Sequence, residues 1–199
     1  MKLKLFIVQL ILLMPVSFMF AQFPQTNREQ PGTPHFAVKS NLLYDITGTV
    51  NLGFEIKTSR KYSLDISGNY NPWTFSGNRK WKHFLIQPEY RYWICEPFYG
   101  HFIGAHAHYA KFNVGNLPFG GTSYEDHRYE GWLAGAGFSY GYHKMLSNRW
   151  SIEATIGIGY AYIDYDKYKC EKCGEKVKSG NTHYRGITKA AVSLIYIIK

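Results

Sequence analysis

Trp150-Ser-Ile-Glu-Ala-Thr-Ile-Gly-Ile-Gly-Tyr-Ala-Tyr-Ile-Asp-Tyr-Asp166 alternates without a break over its first thirteen residues. Trp150, Ile152, Ala154, Ile156, Ile158, Tyr160 and Tyr162 fall on one face. Ser151, Glu153, Thr155, Gly157, Gly159 and Ala161 fall on the other, the period of two that marks a β-strand. The apolar face has an order of its own, aromatic at both ends and aliphatic between. Twelve steps of roughly 3.3 Å, tilted by about 40°, rise roughly 30 Å along a barrel axis. That height matches a lipid-facing band with an aromatic girdle at each rim, so the stretch reads as one strand of a transmembrane β-barrel.

Seven further stretches carry the same signature. The first strand is expected over residues 35–45, followed by a short turn to Thr49. The second, residues 50–57, sets Val50, Leu52, Phe54 and Ile56 against Asn51, Gly53, Glu55 and Lys57. The third covers 62–70 and the fourth 83–94, where Pro88 predicts a bulge because it cannot donate to a ladder. The fifth, sixth and eighth cover 101–112, 131–142 and 186–198. Eight strands make the smallest common barrel, an all-β, antiparallel, up-and-down transmembrane fold. The connections after the second, fourth and sixth strands are short. Those after the third, fifth and seventh (71–82, 113–130 and 164–185) are long, the outer-membrane pattern with long loops outside the cell.

The first 21 residues read as a signal peptide: Lys2 and Lys4, an apolar run from Leu5 to Met14, then Met19-Phe20-Ala21 before Gln22. Residues 22–34, with three prolines, read as a flexible periplasmic leader, and residues 35–199 as the barrel domain. The chain is therefore expected in the cell outer membrane. Aromatic residues make up 18% and charged residues only 19%, which suits a wall that meets lipid. The net charge of +9 falls to +7 without Lys2 and Lys4. Its basic residues form no dense patch or nucleic-acid motif, so nucleic acid is excluded as a partner and anionic lipid, lipopolysaccharide included, is favoured.

Five segments carry a resemblance: Ser40-Asn-Leu-Leu-Tyr-Asp-Ile-Thr47, Leu64-Asp-Ile-Ser-Gly-Asn-Tyr-Asn-Pro-Trp73, Asn78-Arg-Lys-Trp-Lys-His83, Asp126-His-Arg-Tyr-Glu-Gly-Trp132 and Ile163-Asp-Tyr-Asp-Lys-Tyr168. They resemble domain-of-unknown-function family 3575, uncharacterised proteins of Bacteroidota. The resemblance implies an outer-membrane β-barrel and, from the gene neighbourhoods of some relatives, a link to fimbrial or cell-surface assemblies. It implies no catalytic residue.

Three sets of residues carry candidate chemistry. On the inward face stand Glu55, Lys57, Asp65, Glu89, Arg91, His106, His108, Glu153 and Lys189. In so narrow a lumen these are expected to pair as a polar network; a proton path, or a metal on His106 and His108, is the sharper alternative. Cys170 and Cys173 form a Cys-x-x-Cys that fits a redox couple, half a zinc site with His183 or His127, or a disulfide staple, and an oxidising location favours the staple. Cys95 is expected at the opposite rim, out of reach of both. Trp73, Arg79, Trp81, Tyr124 and Arg128 form a candidate loop surface for sugar rings and phosphates. No cofactor is expected.

A non-enzymatic barrel with a structural or surface-interaction role is the favoured class. A lipid A or phospholipid enzyme using Asp126, His127 and His83, and a soluble ligand-binding calyx, are the alternatives.

Overall fold

The alternating stretches become strands because each can bury one face and expose the other. The computed structural model describes residues 34–75, 79–115, 127–169 and 174–198; the signal-peptide segment lies outside them, as does the leader up to residue 33. In chain order the elements are β1 (Phe36–Asn41), α1 (Leu42–Ile46), β2 (Val50–Lys57), β3 (Tyr62–Asn71), β4 (Thr74–Phe75), β5 (Arg79–Trp93), β6 (Gly100–Gly115), β7 (His127–Met145), β8 (Trp150–Lys169) and β9 (Lys176–Ile198). All pairings are antiparallel. β3 pairs with β5 and β9 returns to β1, so eight strands close in an up-and-down ring, with β4 a two-residue arm on β5.

The register fixes the slant of the ring. Stepping from Lys39 across partners leads through Gly53 and Ser67 to Gln87, and in the same register from His108 through Gly135 and Ala161 to Tyr184. Lys39 itself faces Ile195, eleven residues further along β9. Such a stagger tilts the strands by about 40° and brings residues at different register positions to one height.

The first strand is shorter than expected. It ends at Asn41, and residues 42–46 form one turn of helix rather than strand. The adjacent pair Leu42-Leu43 breaks the alternation there. Asn41 caps the helix by accepting from the Leu43 N–H (3.2 Å). The bulge expected at Pro88 is absent: Ile86 pairs with Tyr109 and Glu89 with His106 in one unbroken register, and the ladder toward β6 merely lapses at Gln87 and Pro88. The β8–β9 ladder instead shifts register twice, at the step from Lys167 to Tyr168 and at the step from Gly157 to Ile158, opposite which Thr188 is inserted. That extra residue lets Ile187 face outward while Lys189 faces inward. The long connections are also shorter than expected, since β5, β6, β7, β8 and β9 run on into them.

The interior is layered. At the short-turn end Trp93, Phe98, Phe102, Ala37, Ile195 and Ile197 are buried as an apolar plug. Phe98 has φ 67°, a conformation disfavoured for an aromatic residue, and is held there by packing against Trp93 and His143. Two inward glycines make room for large neighbours. A Cβ at Gly141 would run into the Phe102 ring, and one at Gly104 into the Glu89 carboxylate. Among the described residues no helix is long and apolar enough to cross a membrane, a fact that leaves strands untouched.

Candidate functional site

Above the apolar plug lies a layer of charge, assembled by the slant of the strands. Lys39, Glu55, Asp65, Glu89, Arg91, Glu153 and Lys189 are all buried. Arg91 is the hub. Its guanidinium reaches Glu89 (2.7 Å), Glu55 (2.9 Å), Asp65 (2.9 Å) and Glu153 (3.0 Å), and its face lies 4.3 Å from the Phe102 ring centre. A planar fork with five donors can serve four carboxylates at once, more than the three donors of an ammonium allow. Lys39 lies 2.5 Å from Glu55, 3.3 Å from Asp65 and 3.7 Å from Glu153. Lys189 closes the far side on Glu89 (2.6 Å) and Asp65 (3.6 Å).

Three cations thus meet four carboxylates. The surplus carboxylate charge is nearest His143, whose Nδ1 lies 3.4 Å from Glu153 Oε2. Ser63 donates to Glu55 (2.5 Å) and accepts from the Trp93 indole N–H (2.7 Å), joining charge layer to plug.

The structure therefore brings together Glu55, Asp65, Glu89, Arg91, Glu153 and Lys189 of the expected network. His106 and His108 are buried one layer higher, with ring centres 5.8 Å apart. His106 Nε2 meets the bulge hydroxyl of Thr188 (2.9 Å), and among the described residues neither ring bonds a carboxylate. Lys57 is half-exposed at the short-turn end, outside the cluster. Sequence reading missed Lys39 and His143. Lys39 lies between outward Val38 and half-buried Ser40 in the first strand, and His143 continues the inward phase of Ser139 and Gly141. Lys39 could have been found by applying the alternation within the first strand, and His143 by carrying the sixth strand one residue past Tyr142.

A cavity of about 360 Å³ rises from this floor to α1 and the start of β5. Tyr44 of α1 and His83 of β5 face each other at its mouth, ring centres 6.4 Å apart. Burial raises the Tyr44 pKa, partly opposed by a hydrogen bond from Asn69.

Of the candidate loop surface, Trp81 and Arg128 stand on opposite faces of the wall. Trp81 lines the cavity, and the Trp73 indole N–H donates to the Gly48 carbonyl (2.8 Å). Arg128 lies 4.6 Å over the outward Tyr168 ring and 3.7 Å from Glu130. Tyr124, Cys170, Cys173 and Asp126 lie outside the described residues, as do the side chains of Arg79 and His127. His183, expected in a loop, is in β9 with its Nδ1 2.5 Å from the Tyr160 hydroxyl. Cys95 is a free, exposed thiol in the β5–β6 turn. Among the described residues no cluster of three or more His, Cys, Asp or Glu could hold a metal ion. Where β8 and β9 run past the ring, Lys176 bonds Asp166 (2.8 Å); this contact holds the Asp166 carboxyl below its usual pKa and the Lys176 ammonium above its own.

A family model described as protein of unknown function (DUF3575) matches residues 8–198. No curated protein and no solved structure matches the chain significantly.

Proposed function

The chain belongs to the DUF3575 family of proteins of unknown function, and from that premise we propose that it is an outer-membrane β-barrel with a sealed lumen and a non-enzymatic structural or surface-interaction role. One observation carries this reading: the molecule is apolar outside and charged inside. Phe138, Ile158, Ile187, Ile156, Phe54, Ile103, Ile66 and Leu194 are exposed around the ring, while seven charged side chains are buried within it. In water so extended an apolar belt would drive aggregation. In a bilayer it is the lipid contact, and the closed ring leaves no strand edge unpaired at that depth. Tyr62, Tyr90, Tyr140 and Trp150 edge the belt at the short-turn end, and Tyr70, Phe84, Trp132 and Tyr162 at the other.

The lumen is sealed by Arg91, which ties carboxylates from β2, β3, β5 and β8 across it, above the plug of Trp93, Phe98 and Phe102. Each interior carboxylate is held by a cation, an arrangement suited to a clamp rather than to acid–base chemistry. The activity then lies at the long-connection end, turned outward from the cell, where the extended hairpins meet surface glycans or fimbrial and other cell-surface proteins. The test is migration of detergent-extracted membranes on a gel before and after heating, with and without protease on intact cells, paired with planar-bilayer recording. A heat-shifted band clipped from outside, with no conductance, is the expected result. Recovery in the aqueous fraction with no heat shift would overturn it.

A further inference from the structure

The outer surface just beyond the aromatic edge is uneven in charge. On β5 and β6 the alternation that turns Phe84 and Tyr109 outward continues into Lys82, Lys80 and Lys111, and on β7 that of Trp132 continues through Glu130 into Arg128, which lie 3.7 Å apart. Lys111 pairs with Phe84 on one side and Trp132 on the other; Lys82 pairs with Asn113, and Lys80 with Gly115, which in turn pairs with Arg128. Lys82 and Lys111 are diagonal neighbours, their stems roughly 7–8 Å apart, so two ammonium groups can close on one phosphate. Gly115 is buried, and a Cβ there would meet the stem of Arg128. None of the three lysines has an ion-pair partner among the described residues, while the neighbouring sector on β8 presents Asp164 and Asp166. Below the cations, Tyr109, Trp132 and Tyr162 form a continuous aromatic ledge, with centres 6.2 and 5.7 Å apart.

We propose that Lys80, Lys82, Lys111 and Arg128 form a binding site for the phosphates of a phosphorylated glycolipid in the surrounding leaflet, its acyl chains lying against Phe84 and Trp132. The lipid is favoured over free phosphate because the cations stand one outward position beyond the apolar belt, on the same face. A headgroup there gains charge contacts and chain contacts together. The site rests on the membrane reading above.

The experiment is native mass spectrometry of the full chain, refolded in detergent and incubated with bisphosphorylated lipid A, with lipid A lacking phosphates, or with inorganic phosphate. The expected result is retention of bisphosphorylated lipid A alone, weakened roughly a hundredfold in K80Q/K82Q/K111Q, since each surface cation adds about a factor of five. K61Q/K144Q, at the opposite rim, should bind as the parent does, and a retained heat shift shows that both variants are folded. Equal binding of dephosphorylated lipid, equal binding by the triple variant, or capture of inorganic phosphate without lipid preference each overturns the site. A heat-shifted, membrane-extracted protein with no phosphate dependence sinks this proposal alone; a protein found in the aqueous fraction sinks the membrane reading and this site with it.

Discussion

Replacing Arg91 by Met keeps the bulk of the side chain and removes the charge that holds the interior together. Four carboxylates then face two lysines. None is left alone, because Glu55 keeps Lys39 at 2.5 Å, Glu89 keeps Lys189 at 2.6 Å, Asp65 keeps both lysines within 4 Å, and Glu153 keeps Lys39 at 3.7 Å. The loss therefore does not multiply by four. It should resemble the breaking of one buried pair, about 3–5 kcal/mol, plus about 1 kcal/mol for the contact with Phe102. Glu153→Gln is the opposite perturbation: it removes one of four negative charges facing three positive ones and should cost about 1 kcal/mol or less. Urea titration of each variant in lipid vesicles, followed by tryptophan fluorescence and heat-shift gels, measures both. The double variant R91M/E153Q should be more stable than the sum of the two losses, because the second change relieves the charge exposed by the first. An R91M midpoint within about 0.5 kcal/mol of the parent, or E153Q costing as much as R91M, would refute the hub and the charge surplus together.

Gly141→Ala forces a Cβ into the Phe102 ring and should cost about 1–3 kcal/mol, with the Trp93 emission altered because Trp93 lies 4.8 Å from that ring; unfolding curves and emission spectra check it. Asn41→Ala removes the cap on α1 and the contacts to Ala190 O (3.3 Å) and Val192 N (3.2 Å) across the β1–β9 seam. A loss of about 1–2 kcal/mol, with faster amide exchange near Val192, is expected. The Asp166–Lys176 contact is exposed, so its effect is local. The carboxylate pKa is depressed, so that contribution is present above the unfolded value and fades as pH falls through the folded one. The ammonium pKa is raised, so its contribution is present below the unfolded value and fades as pH rises through the folded one. Amide exchange at the end of the β8–β9 hairpin should be most protected between those limits, less so at high salt, and flat with pH in D166N.

The ring was legible because a wall with opposed environments imposes a strict period, and Trp150 to Tyr162 keeps it. The inward charges were legible for the same reason, as every second residue of β2, β3, β5 and β8 had to face the interior. Their convergence was not, because partners on distant strands meet only through the slant, and no linear spacing encodes that Arg91 and Glu153 are 3.0 Å apart. The bulge at Thr188 was hidden too: its marker is the pair Ile187 and Lys189, two residues of one phase that belong on opposite sides. The hairpins beyond the ring read as loops because residues 164–185 are polar on both faces, so the paired strands left no apolar rhythm.

Two of the segments that carry the family resemblance have a structural use in this chain, and that bears on where function can reside. In Ser40 to Thr47, Asn41 caps α1 and joins it to β9. Asp45 accepts from Ser40 (2.8 Å) and Asn51 (2.7 Å). In Leu64 to Trp73, Asp65 belongs to the charge layer, Asn71 donates to Thr49 (2.9 Å) and Trp73 donates to the Gly48 carbonyl. Together these two segments fasten the shortest part of the wall, where β1 and β2 have only six and eight residues and a turn of helix must complete the rim. Short strands give few ladder bonds, so side chains must supply the rest. Residues engaged in this way are poor candidates for ligand contact, since moving them would open the ring. Recognition by this chain is therefore better sought on long, well-paired strands, at Lys80, Lys82 and Lys111, which have no ion-pair partner among the described residues, than in residues 40–47 and 64–73.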